Sequence, residues 1–340
     1  AGQGGEAGQG GEAGQGGEQS ACEPLTTDYP SESWPACVSD DERWHLAGDA
    51  PPSSQARVDS FETIADLLWR NEQTPSAEDF LNARIEYAID QGLDSRVQRR
   101  YDAHIPRPAE GINCRGEDHG ELYPDYCVGP GQILPLITEG FAAGSIGEAP
   151  LVNSAKVEAS LLWFLYVSTY KEAYTCATAA KDCDSAWAYY GGSETVDGGT
   201  GLAKYVRDLS PEIHADIFDA LLAVRCWRDL DAGETAQDAD LHQQVLDQLD
   251  RALDRGLATI LATRVDYLRS EASATAEEIE STKVFLRILG PTLNRALNAA
   301  ANENAQRAAS LWSSEFTEVE LDTIHTGLTA LIDCQSADEG

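Results

Sequence analysis

The sequence predicts an all-α fold, a disulfide-stapled helical bundle that could consist of two pseudo-repeated halves. Three observations support this fold class. After residue 58 the apolar residues recur with the period of an α-helix, strand-like alternation is scarce, and the cysteines number eight. A chain of 340 residues is long enough to bury a sizeable core.

The first 57 residues differ in composition from the rest. Residues 1–18 are the hexapeptide Ala-Gly-Gln-Gly-Gly-Glu three times over, which has little to bury and much backbone entropy to lose. We therefore divide the chain into a Gly-rich tether at 1–21, an irregular extension at 22–57 and a helical domain at 58–340. The repeat could hold the domain off a membrane through a lost lipidated N-terminus, or it could serve self-assembly.

Helix signals follow in order along the domain. Ser76 with Asp79 three residues later predicts an N-cap, and Gly92 is expected to end that helix. Ser210-Pro211 is a typical start signal, and Gly290-Pro291 predicts a kink. The remaining apolar stripes predict helices at about 132–145, 154–179 with Asn153 as its cap, 187–190, 236–270 and 318–332.

The cysteines predict an oxidising compartment. No CxxC motif is present, which argues against a zinc ribbon or a thioredoxin-like site. Spacing alone leaves the pairing open, but proximity in sequence favours three local bridges and leaves one long-range pair: Cys22–Cys37, Cys114–Cys127, Cys176–Cys183 and Cys226–Cys334. The second would close a loop at 106–130. We expect an extracytoplasmic protein (periplasmic, on the outer surface or secreted), and the absence of Met indicates a processed chain.

The net charge of the chain limits the classes of partner that it is expected to bind. The chain has 24 basic and 58 acidic side chains, a formal net charge of −34. Such a surface repels phosphate backbones and anionic lipid, so no nucleic-acid partner is expected. The charge suits a protein that meets cations, or one that must stay soluble.

A tyrosine-rich helix is the first candidate for a functional site. Tyr166, Tyr170 and Tyr174 recur every four residues, and Glu158 lies on the same stripe. Phenolate and carboxylate oxygens are hard ligands that suit Fe³⁺. The alternative is that these rings pack a core, as aromatic residues at helical spacing usually do.

Other residues extend that candidate. Tyr189 and Tyr190 follow downstream, and Tyr267 comes three residues after Arg264. Arg264 or Arg225 would supply the charge and forked donors that hold carbonate or a similar anion.

A second candidate lies inside the loop at 106–130. Asp118, His119, Glu121 and Asp125 could clamp a divalent cation, or they could be a solvated acidic loop. No HExxH, P-loop, GxSxG or dinucleotide motif is present, and we expect no enzymatic activity.

Several segments resemble a known family. The stretches 87–92 (YAIDQG), 97–102 (VQRRYD), 139–142 (EGFA) and 186–193 (AWAYYGGS) are similar to elements of the algal low-iron-inducible periplasmic proteins and the related phytotransferrins. The resemblance implies an extracytoplasmic helical protein that binds ferric iron with carbonate as a synergistic anion. Imelysin-like proteins are a neighbouring family, but their GxHxxE motif is absent here.

Two functional hypotheses follow. The first is a surface-tethered ferric-iron-binding protein without catalysis, with candidate metal ligands Tyr170, Tyr174, Tyr189, Tyr190, Glu139, Glu158 and Tyr267 and candidate anion ligands Arg225 and Arg264. The second is a structural or assembly subunit of a cell-surface layer or extracellular filament, with no metal site.

Overall fold

The computed structural model of this protein is helical throughout the part of the chain that it describes. The described residues are 43–46, 50–71, 73–116, 118–230, 239–270, 273–300 and 302–333. Within these ranges no β-strand is formed, and Arg43 and Thr195 make an isolated β-bridge. The predicted all-α fold is confirmed, while the two pseudo-repeated halves stay a prediction.

The α-helices are numbered here in chain order. They are α1 Gln55–Leu68, α2 Ala77–Tyr87, α3 Leu93–Val97, α4 His119–Leu122, α5 Leu134–Gly144, α6 Pro150–Thr175, α7 Lys181–Tyr190, α8 Gly201–Leu209, α9 Pro211–Leu230, α10 Ala239–Ser270, α11 Ala276–Leu289, α12 Asn294–Ala299, α13 Glu303–Ala308 and α14 Glu318–Ile332. A π-helical turn, Gly129–Ile133, leads into α5, and a 3₁₀ turn, Gly290–Leu293, follows α11 at the predicted kink.

Helix α6 is the centre of the bundle. Its residues from Val157 to Tyr170 are all buried, because the sequence is apolar or small on every face of the helix. Helices α5, α7 and α11 pack directly against it, while α9, α10 and α14 form a neighbouring set in which α10 contacts both α9 and α14. Polar side chains on α6 must therefore find partners inside the protein.

Local capping signals set several helix starts. Ser76 and Asp79 form a complete capping box at α2, and α14 begins with another at Thr317. The predicted end of α2 at Gly92 is wrong: the helix ends at Tyr87, and Ile89 is exposed.

The start of α6 also differs from the prediction. The helix begins at Pro150, because the fixed backbone angle of proline suits the first helical turn. Asn153 lies inside this turn, where its side chain donates to the backbone carbonyls of Glu148 (2.7 Å) and Ala149 (3.2 Å). The predicted cap at Asn153 is therefore wrong.

Two of the predicted disulfides are present among the described residues, Cys114–Cys127 and Cys176–Cys183. Cys226 is also disulfide-bonded, and its predicted partner Cys334 lies outside the described residues, as do Cys22 and Cys37. In the described ranges no helix has the length and apolarity needed to cross a membrane. Disulfides of this kind are compatible with an extracellular or secreted protein.

The extension at 22–57 contributes to the core. Trp44 is buried, its ring stacks on that of Trp187 at 5.6 Å, and its indole N–H donates to Asp184 at 3.3 Å. Helix α1 begins at Gln55, three residues before the predicted start of the helical domain at residue 58. The tether at 1–21 lies outside the described residues.

Candidate functional site

A cleft of about 710 Å³ opens between α1, α6, α8, α10 and α11. We call it the Glu158 cleft, after the carboxylate that α6 places in its wall. Its polar lining includes Tyr205 from α8 and Arg264 with Tyr267 from α10. From α6, α8 and α10, which are distant in sequence, the cleft collects the Glu158 carboxylate, the phenols of Tyr205 and Tyr267 and the Arg264 guanidinium. Other charged residues of the lining are Arg70, Lys204, Asp208 and Glu278.

The geometry around Glu158 is well defined. This side chain is only 3% exposed. The Tyr205 hydroxyl donates to Glu158 Oε1 at 2.7 Å, and Arg264 Nη2 donates to the same oxygen at 2.9 Å. A buried carboxylate is tolerated because a charged and a neutral donor compensate its lost hydration.

Neighbouring groups hold Tyr205 and close one side of the cleft. The Trp69 indole N–H donates to Tyr205 Oη at 2.6 Å. The Arg70 guanidinium lies 5.8 Å from the centre of the Tyr205 ring and donates to both oxygens of Glu62, at 2.6 and 2.9 Å. These contacts fix the phenol on both its oxygen and its ring face.

Electrostatics favour the protonated phenol in the protein as it stands. Burial raises the pKa of Tyr205 well above its ordinary value, and the nearby Glu158 carboxylate raises it further. Burial opposes ionisation of Glu62 as well, but the hydrogen bond and charge of Arg70 outweigh burial and lower the pKa of Glu62. Tyr205 therefore keeps its hydroxyl proton at neutral pH.

The cleft brings together three of the candidate residues: Glu158, Tyr267 and Arg264. Tyr205 was missed because its helix carries one tyrosine and no tyrosine stripe. The signal that could have found it is the pattern of α8, in which Leu202 and Val206 are buried and Tyr205 lies beside them.

The other candidate tyrosines do not line this cleft. Tyr170 stacks on His104, with ring centres 3.7 Å apart, and the Tyr190 hydroxyl bonds to His214 Nδ1 at 2.8 Å. Tyr189 is buried edge-on against Phe164. Tyr174 is 48% exposed, because the tyrosine stripe follows α6 beyond the buried part of the helix.

Glu139 and Arg225 also lie elsewhere. Glu139 is on the exposed side of α5 and accepts from Lys156 Nζ at 2.7 Å. Arg225 pairs with Asp184 at 3.0 Å and packs over the Trp44 ring. Both charges take part in ion pairs between helices.

The second candidate, the acidic loop, is held by local hydrogen bonds. His119 Nδ1 bonds to the Asn113 carbonyl oxygen, and Gln132 Nε2 donates to Asp125 at 3.2 Å. Across the described ranges, no group of three or more His, Cys, Asp or Glu side chains is placed to hold a metal ion.

A buried polar network that the sequence did not indicate joins α6, α10 and α12. His104 lies between Asp102 (2.6 Å) and Asp250 (2.9 Å), and Arg295 bridges Asp250 (2.6 Å) to Asp254 (3.1 Å). The Tyr166 hydroxyl donates to the other oxygen of Asp254 at 2.8 Å. We call these six residues the His104 network.

Four groups of the His104 network have raised pKa values, those of His104, Asp254, Tyr166 and Arg295. Burial would lower the pKa of His104, but hydrogen bonds and charges from Asp102 and Asp250 outweigh burial and raise it to about 9. Burial, and then the charge of Asp250, raise the pKa of Asp254 to about 7. His104 and Asp254 therefore keep their protons up to a higher pH in the folded protein than they would in water.

No protein-family model, curated protein or solved structure matches this chain. The likeness to phytotransferrins stays a prediction.

Proposed function

We propose that this protein is a non-catalytic, extracytoplasmic binding protein that holds ferric iron together with a small anion such as carbonate in the Glu158 cleft. The observation that carries the proposal is that Glu158, Tyr205, Tyr267 and Arg264 all line one cleft, in which Tyr205 and Arg264 both donate to Glu158. Carboxylate and phenolate oxygens are the hard donors that Fe³⁺ prefers. Arg264 adds the positive charge and forked N–H donors that an accompanying anion needs.

The charges of this donor set fit a trivalent ion. Glu158 and two ionised phenols would supply three negative charges, and a carbonate held by Arg264 would complete the coordination. On binding, the Tyr205 hydroxyl proton, now donated to Glu158, would pass to solvent. Since burial disfavours ionisation of this phenol, weakly polarising ions such as Ca²⁺ and Mg²⁺ should not displace its proton. Iron affinity should fall as the pH falls, because binding releases protons.

A ferric titration in bicarbonate buffer tests the proposal. Ferric nitrilotriacetate should produce a visible phenolate-to-iron charge-transfer band with one iron per chain. Tyr205→Phe and Tyr267→Phe should each weaken the band, and Arg264→Gln should weaken its dependence on bicarbonate. Tyr174→Phe is the matched control, because that hydroxyl does not line the cleft.

Two results would refute the iron proposal. One is the absence of a band and of bound iron at saturating ferric chelate. The other is a band that Tyr205→Phe and Tyr267→Phe leave unchanged. Absence of bound iron would leave the alternative of a structural subunit without a metal site, and electron microscopy of native material would then look for an assembly.

A further inference from the structure

A second cavity, about 500 Å³ in volume, is lined by basic residues. Its cations are Arg96 on α3, Arg99 and Arg100 in the turn that follows, Arg107 and Arg115 in the disulfide loop, and Lys171 on α6; we call it the arginine pocket. It shares no lining residue with the Glu158 cleft, so a ligand bound here would not depend on iron bound there.

The charge of the arginine pocket is opposite to that of the chain. Six of the 24 basic side chains of the protein line it, although the formal net charge is −34. Glu172 is the one carboxylate among its described lining residues. A concave surface that concentrates one sign of charge focuses the electrostatic potential and attracts ions of the opposite sign.

The Glu172 carboxylate in the arginine pocket already accepts a hydrogen bond at each of its two oxygens. Arg100 is 5% exposed, and its Nη1 donates to Glu172 Oε1 at 2.9 Å. Lys171 Nζ donates to the other oxygen, Oε2, at 3.0 Å. Both oxygens of Glu172 are therefore occupied, and four arginines remain without this counter-ion. The Arg100 guanidinium also packs over the ring of Tyr189, 5.1 Å from its centre.

Several donors in the pocket lack an acceptor. The Nε atoms of Arg96, Arg99 and Arg100 are buried and have no hydrogen-bond partner among the described residues. Arg96 and Arg99 form no ion pair with any described residue. Burial, and then the charge of Arg57, lower the pKa of Arg96. Uncompensated, partly buried cations are costly, and an anion would relieve that cost.

The wall of the pocket is rigid on the side of the disulfide loop. The Cys114–Cys127 disulfide anchors Arg115 beside the cavity, and both cysteines are buried. The rings of Tyr101 and Tyr126 stack at 5.2 Å and line the same wall. Arg100 and Lys171, which both donate to Glu172, are held in place before any ligand arrives, and this reduces the ordering cost of binding.

We propose that the arginine pocket binds a small organic anion that carries phosphate groups. Guanidinium groups present paired N–H donors that match phosphate oxygens, and several converge here. The volume of about 500 Å³ is larger than a single phosphate needs, so a phosphorylated small molecule fits better. The acidic remainder of the surface repels long polyanions, which favours a compact ligand.

Calorimetric titration with pyrophosphate and with inorganic phosphate tests the pocket. In low-salt buffer the wild-type protein should bind pyrophosphate more tightly than phosphate, and its melting temperature should rise with pyrophosphate concentration. The Arg96→Gln/Arg99→Gln double variant should lose at least about tenfold in affinity. The matched control is Arg84→Gln/Arg251→Gln, which removes the same charge from two exposed positions outside the pocket.

The melting temperature without ligand separates binding from folding. The pocket variant should melt no lower than wild type, since it loses two like charges that repel. If it fails to fold, the exposed Arg115→Gln replaces it and should also weaken pyrophosphate binding. The proposal is overturned if wild type gives neither heat nor a thermal shift with pyrophosphate. It is overturned equally if the control variant loses as much affinity as the pocket variant.

Discussion

The stability of this protein should fall as the pH rises above neutrality, because His104 is held as a cation between two carboxylates. Its side chain is 6% exposed, and its two ring nitrogens lie 2.6 Å from Asp102 and 2.9 Å from Asp250. The rings of Tyr166 and Tyr170 stack against it and exclude water. These contacts raise the pKa of His104 from 6.5 to about 9.

The sign and size of the effect follow from that difference. A histidine with a raised pKa in the folded state stabilises the fold fully below its unfolded pKa, 6.5, and stops doing so as the pH rises through about 9. One pKa unit corresponds to about 1.4 kcal/mol, so the full contribution is about 3 kcal/mol. Most of it, about 2 kcal/mol, should be lost between about pH 7 and about pH 9.

Other titrating groups contribute little to the change in the free energy of unfolding over this pH interval. The raised pKa of Asp254, about 7 against 3.8, destabilises the fold mainly as the pH rises from about 4 to about 7. Burial lowers the pKa values of His214 and His242, so both are mostly neutral, folded or unfolded, above about pH 7. An upper limit of about pH 9 keeps most tyrosines of the unfolded chain protonated.

Urea unfolding, followed by tryptophan fluorescence across this interval with the disulfides intact, measures the effect. His104→Asn should lower the free energy of unfolding by about 2 kcal/mol at pH 7 and should flatten its decline with pH. His325→Asn, a partly exposed control, should keep the wild-type decline. A wild-type free energy that is the same at both ends of the interval would refute the reasoning, as would a decline of wild-type steepness in His104→Asn.

Three further substitutions test contacts described above, each by urea unfolding at neutral pH. Replacing both Cys114 and Cys127 by Ser should lower the free energy of unfolding by about 3 kcal/mol, because the disulfide spans a sequence separation of 13. Ser76→Ala should cost about 1 kcal/mol, since it removes the hydroxyl that caps α2. Tyr166→Phe should cost about 2 kcal/mol, because buried Asp254 loses a donor at 2.8 Å.

Each of these substitutions has a control. Dithiothreitol can reduce the Cys114–Cys127 bridge only in the wild type, so it should lower the free energy of unfolding of the wild type more than that of the Cys114/Cys127 variant. Equal losses of free energy in both proteins would contradict the assignment. Ser76→Thr keeps a capping hydroxyl and should retain most of the stability, so a loss equal to that of Ser76→Ala would count against the cap. Tyr174→Phe, at an exposed position, should be close to neutral; a cost equal to that of Tyr166→Phe would show that the bond to Asp254 is unimportant.

The helical architecture could be predicted where the signals are local. Ser76 with Asp79, and Pro211 after Ser210, mark the starts of α2 and α9, because capping and proline geometry involve only a few neighbouring residues. The last helix, predicted at 318–332, is observed at those residues for the same reason. The end of α2 was less predictable, since Ile89 continues the apolar pattern beyond the last helical turn.

The candidate site could be predicted only in part. Helical periodicity placed Tyr166, Tyr170 and Tyr174 on one stripe, but it gave no information on what faces that stripe. Tyr166 meets Asp254, 88 residues away, and Tyr174 reaches the surface. The partners of a side chain depend on which helices pack together, and this choice depends on the whole chain.

By itself, the sequence determined the helical class, two local disulfides and the starts of α2, α9 and α14, because each depends on residues that are near one another along the chain. Only the tertiary structure decided that Glu158 meets Tyr205 and Arg264, which are 47 and 106 residues away. It also decided that six cations line one pocket of a chain with net charge −34. Composition counts charges, but the packing of helices and the disulfide loop determines which of them converge.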